Sequence, residues 1–170
     1  SQSMIESALA KYPAIARDLT ALFRAMHDPE RFDGKEEARA AECQAIVARI
    51  ESALEAVPSA DDDRIVRGLL NVIGASLRTN FFSGASGGKS DPVLAIKLES
   101  RKIGFLPNPK PLFEIFTFAR DFEGVHLRFG KVARGGIRWS DRHDDFRTEV
   151  LGLMKSQMVK NAVIVPASSS

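Results

Sequence analysis

A single cysteine, Cys43, excludes an internal disulfide and fits a reducing compartment. Long apolar runs are missing too. None approaches the roughly 20 residues needed to span a bilayer, so no membrane partner is expected. The opening "SQSM" has neither the charged nor the apolar part of a secretory leader, and the chain reads as cytoplasmic. Charge of one sign is scarce: 24 Lys and Arg face 22 Asp and Glu, leaving a net +2. Bulk electrostatics therefore predicts neither a nucleic-acid binder nor a membrane-surface protein. The three histidines, His27, His126 and His143, show no spacing suited to a shared metal and have no cysteine cluster beside them. No metal is expected.

What is present is a globular composition, 44% apolar and 27% charged, in 170 residues. That length holds one ordinary domain or two small pieces. Residues 1–82 read as a helical region. In "YPAIARDLTALFRAMHDPERF", Ile15, Leu19, Leu22, Phe23 and Met26 recur at helical spacing, and Asp28-Pro29 is a stop. "KEEARAAECQAIVARIESALEAV" places Cys43, Ile46, Val47, Ile50 and Leu54 on one stripe, with Cys43 as a core thiol, and Pro58 ends it. "SADDDRIVRGLLNVIGASLRTNFF" begins with acidic residues suited to a solvated helix start, and Ile65, Leu69, Val72, Ile73 and Leu77 supply its buried face.

Composition changes at "SGASGGKSD", residues 83–91, which reads as a connector. It is not a phosphate-binding loop, because Ser83 stands where the first glycine is required and Asp91-Pro92 where a helix should start. Beyond it, "PVLAIKLES", "PLFEIFTFA" and "GVHLRFGK" have the β-branched and aromatic content of strands. "RHDDFRTEVLGLMKSQMVKNA" returns to helix, with Phe146, Val150, Met154 and Met158 four residues apart, and "VIVP" suits a buried strand. The expected fold class is α+β: a helical N-terminal half, then a mixed β-sheet with a packed helix over residues 83–170.

Between Arg120 and Arg147 the arginines at 120, 128, 134, 138, 142 and 147 are interleaved with acidic residues. Without an array of stacking aromatics, nucleic acid is not the expected partner. Within this stretch "RGGIRWSD" places Gly135-Gly136 between arginines. Missing Cβ atoms permit a tight turn and close approach of another group, and guanidinium forks match carboxylates. Downstream, Gln157 and Lys160 are three residues apart on one helical face, at the edge of the apolar stripe. An amide and an ammonium together can hold one carboxylate, although a lysine snorkelling to water explains the spacing as well.

The stretch "GKVARGGIRWSDRHDDFRTEVLGLMKSQMVKNAVIVP" resembles the substrate-binding segment of glutamate dehydrogenases, specifically the large bacterial NAD-dependent type. Gly135-Gly136, Arg138, Gln157, Lys160, Asn161 and Pro166 follow in that family's order, and "RTNFF" and "PLFEIFTFAR" also look like the large type. The match covers about residues 76–166, with the helical half merely compatible. The resemblance implies that Gln157 and Lys160 hold the substrate α-carboxylate and that Gly135 and Gly136 form the turn beneath it. Arg134 stands where smaller relatives have a lysine for the distal carboxylate.

The resemblance also implies oxidative deamination of L-glutamate to 2-oxoglutarate and ammonia, NAD as cofactor, and a homo-oligomeric parent enzyme. The family's catalytic lysine is expected just beyond Pro166, in a glycine-rich turn where this sequence reads "ASSS". No G-x-G-x-x-G turn for the dinucleotide occurs either. Residues 83–170 are thus expected to be the first part of a substrate-binding domain, inactive alone and lacking a cofactor-binding residue. The rival reading is a non-catalytic carboxylate-binding or assembly module.

Overall fold

A computed structural model describes residues 2–83, 93–131 and 146–161. The chain divides into two compact units, Ser1–Ser76 and Leu77–Ser170. The first consists of α1 (Gln2–Lys11), α2 (Pro13–His27), α3 (Glu36–Leu54) and α4 (Ala60–Gly74). Pro13 opens α2 without loss, because a first-turn N–H has no intrahelical partner. The α2–α3 link turns through Asp33 and Gly34, at φ of 49° and 76°, the left-handed region that glycine enters freely.

Ile15, Leu19, Leu22 and Ala25 of α2 meet Ile46, Ile50 and Leu54 of α3 and Val66 of α4 in one buried cluster. Cys43 packs against it as expected, and burial pushes its thiol pKa up. In α4 the expected face is rotated. Val66 is fully buried while Ile65 is only half-buried. Asp62, one turn before Val66, is buried rather than solvated. Its carboxylate accepts from Lys11 Nζ at 3.0 and 3.3 Å and from Tyr12 Oη at 3.3 Å, fastening the start of α4 to the α1–α2 junction. Asp61 and Asp63 behave as expected, pairing at the surface with Arg64 and Arg67.

Helix α4 stops at Gly74, short of the helix expected through residue 82. Ser76–Thr79 is instead strand β1. The fixing contact is remote in sequence: the Asn80 amide donates to the Val93 carbonyl at 2.6 Å and accepts from the Ala95 N–H at 2.7 Å. The second unit adds β2 (Leu94–Leu98), β3 (Phe113–Phe118), β4 (Glu123–Arg128) and α5 (Phe146–Asn161). The sheet order is β1-β2-β3-β4, and β2–β3 and β3–β4 are antiparallel. The segment that would have made the sheet mixed, 163–166, lies outside the described residues, as does most of the 83–91 connector.

Candidate functional site

Of the expected site residues, Arg134, Gly135 and Gly136 lie outside the described residues. Gln157 and Lys160 fall on the backbone of α5. The described structure holds the elements on either side of the 132–145 stretch, and an arginine marks each of them.

The first arginine closes the sheet ahead of the 132–145 stretch. Arg128 ends β4, pairs in register with Phe113, and accepts at its carbonyl from the Leu112 N–H at 2.6 Å. Its guanidinium donates through Nη2 to the Lys131 carbonyl, the last described group before that stretch. The second arginine reopens the chain beyond it. Arg147, in the first turn of α5, donates through Nε to Glu114 Oε2 at 2.9 Å and through Nη2 to Oε1.

Glu114 is the unusual partner. It lies on β3 directly between Leu98 of β2 and Leu127 of β4 in the register. Both neighbours are buried, and Glu114 itself is 1% exposed. A lone carboxylate in such an apolar row would be very costly, and two parallel hydrogen bonds from a guanidinium offset that cost. The pair was not found from the sequence. Its signal was a glutamate within the apolar strand "FEIFTF", which calls for a buried cation from some other element.

Helix α5 lies against β4 with Leu151 buried, Val150 and Met154 half-buried, and Gly152 and Leu153 exposed. The side chains beyond Lys155 on this helix, those of Gln157 and Lys160 among them, lie outside the described residues. Farther back, Lys155 Nζ approaches the Asn108 carbonyl at 3.4 Å.

Among the described residues no group of three or more His, Cys, Asp or Glu side chains could hold a metal. None forms a glycine-rich strand–turn–helix for a dinucleotide pyrophosphate either, so the described residues do not fit NAD. No described helix is long and apolar enough to cross a membrane.

A helical unit followed by an antiparallel sheet and a packed helix is an α+β arrangement. A family model described as bacterial NAD-glutamate dehydrogenase, catalytic domain, matches residues 49–170, and one described as glutamate dehydrogenase, helical motif 3, matches residues 1–29. The chain belongs to the bacterial NAD-glutamate dehydrogenase family. It is 48% identical over 166 residues to an NAD-specific glutamate dehydrogenase of Halomonas elongata, covering 98% of this chain. With the protein of the same name from Mycobacterium tuberculosis it is 49% identical over 170 residues, covering 99%, and with that of Pseudomonas aeruginosa 46% over 165 residues, covering 97%. In each case the chain spans only about 10% of the relative's length.

Proposed function

We propose that this chain is the part of an NAD-dependent glutamate dehydrogenase that binds the carboxylates of L-glutamate. The longer protein would deaminate glutamate oxidatively to 2-oxoglutarate and ammonia, with NAD taking up the hydride. The observation that carries this reading is the catalytic-domain match over residues 49–170, which includes both the Gly-Gly turn and α5.

In this reading Gln157 and Lys160 hold the α-carboxylate from one helix face, by an amide hydrogen bond and a charge-assisted one. Gly135 and Gly136 leave room for the substrate at the turn. Arg134 takes the distal carboxylate through its planar fork and so selects a dicarboxylic amino acid. The catalytic lysine belongs to the longer polypeptide, beyond Pro166. That lysine works as a base only when neutral, which neighbouring positive charge and burial favour. The clamp contributes orientation, holding Cα in one pose for the reaction. The setting proposed is cytoplasmic and the parent enzyme homo-oligomeric.

The test is Lys160→Ala in the full-length enzyme. Loss of a charge-assisted hydrogen bond costs about 1.5–3 kcal/mol, so glutamate binding should weaken roughly ten- to a hundred-fold with NAD binding little changed. Steady-state kinetics with each substrate varied in turn measures both. Unchanged KM and kcat for glutamate would reduce Lys160 to a solvated lysine.

A further inference from the structure

We infer that the apolar face of the sheet, at the β3–β4 hairpin, is the docking surface for another segment of the same longer polypeptide, apolar at its centre and carrying Lys or Arg at its margin. The inference concerns assembly and stands apart from the carboxylate-clamp reading above. By strand alternation the face that holds Glu114 runs in rows across β2, β3 and β4. Burial falls from row to row. Leu98, Glu114 and Leu127 are buried, and Ile96, Phe116 and Val125 are half-buried. In the last row Phe118 is 54% exposed.

A sheet face that stays apolar along its length is stable when a second layer buries it. Single exposed apolar residues are ordinary, but these adjoin one another. The Ala119 N–H donates to the Phe122 carbonyl at 2.9 Å, which closes the hairpin and brings Phe122, 49% exposed, beside the end of β3. Val93, also exposed, precedes Leu94, the register partner of Phe118. A phenylalanine carries about 150–250 Å² of surface. Two at half exposure, with the valine and the half-buried row behind them, leave on the order of 300 Å² uncovered, a size at which a patch is often functional.

Three observations select the occupant. The chain spans about 10% of its relatives' length, so a protein of that length has most of its polypeptide outside these residues. The connector that enters β2 beside the patch, 84–92, reads "GASGGKSDP" and brings no apolar side chain beyond those of Ala85 and Pro92. Its composition cannot fill an aromatic surface. The hairpin tip, finally, is acidic. Asp121 and Glu123 flank Phe122, and both are exposed and in no ion pair with a described residue. A segment with a cationic margin gains from these carboxylates, and such complementarity fixes the register of an apolar contact.

The experiment places a photo-crosslinker in the full-length enzyme, as Phe122→p-benzoylphenylalanine and separately as Phe118→p-benzoylphenylalanine. After irradiation, mass spectrometry identifies the joined peptides. The expected product keeps the mass of one polypeptide and joins the hairpin to a peptide outside these 170 residues, apolar and with Lys or Arg close by. A product of twice that mass, with the hairpin joined to a second copy, overturns the inference. So does a cross-link to a peptide within residues 1–170, which would make the cover local, and so does the absence of any cross-link from folded variants. If neither variant folds, footprinting of the unsubstituted enzyme decides. Carbodiimide labelling of Asp121 and Glu123 should be about tenfold or more slower in the native enzyme than in urea, because a covered group reacts only when its contact opens. Equal rates would leave the hairpin in water and overturn the inference. Neither measurement involves glutamate, so a failure of the clamp at Lys160 leaves this result untouched.

Discussion

At the end of α2, His27 Nε2 lies 2.7 Å from Ser76 Oγ, whose own hydroxyl is committed to the Ile73 carbonyl. Because Ser76 donates there, the imidazole must donate to Ser76, which assigns the neutral ring a proton on Nε2. Burial lowers the His27 pKa from its ordinary value, and the nearby Arg39 guanidinium lowers it further. The folded state thus binds this proton less tightly than the unfolded chain does. Stability from this group is complete above the unfolded imidazole pKa of about 6.5 and declines as pH falls through that value toward the lower folded pKa. Thermal melts between pH 8 and pH 5.5 should show this decline. His27→Gln, which keeps a side-chain donor but cannot titrate, should flatten the slope. An identical pH slope in the variant would place the titration elsewhere.

Among the elements, α2 and α3 were legible because their buried residues repeat at 3.6-residue spacing and little else competes for those positions. The three longer strands were legible from composition and flanking turn residues. Strand β1 was not. "LLNVIGASLRT" continues an apolar pattern past Gly74, and only the Asn80 amide, bonded to β2 and the residue before it, shows where the chain turns to extended structure. The Glu114–Arg147 pair was not legible for the same reason, since its two residues are 33 apart and no local periodicity links them. Spacing alone put Gln157 and Lys160 on one helix, and the backbone of α5 includes both. Start signals were more dependable. Ser59 caps α4 by accepting from the Asp62 N–H at 3.2 Å, which is the role its position ahead of three aspartates suggests. Ser59→Ala should cost about 0.5–2 kcal/mol and Ser59→Gly only a few tenths, measured by urea denaturation followed through helical circular dichroism. Equal stability of all three proteins would show that Asp62 and its partners, rather than the cap, hold the helix start.

For the molecule as a whole, the division of labour follows from length. The chain spans about 10% of its relatives and, among the described residues, contains no turn suited to a dinucleotide. Under the proposed reading it supplies carboxylate-binding groups. Amino-acid oxidation needs more: the substrate Cα, the hydride acceptor and a base must be held together. That co-location accounts for about 7–11 kcal/mol of barrier lowering in well-oriented reactions. Holding one reactant by its carboxylates secures little of it. The 170-residue chain alone should therefore form no NADH from saturating glutamate and NAD. The assay follows absorbance of the reduced cofactor with the purified chain, using its Lys160→Ala variant as the parallel control. Any host dehydrogenase carried through purification would give both preparations the same rate. A rate in the unsubstituted chain that the variant lacks would mean that the chemistry, as well as the binding, resides in these residues.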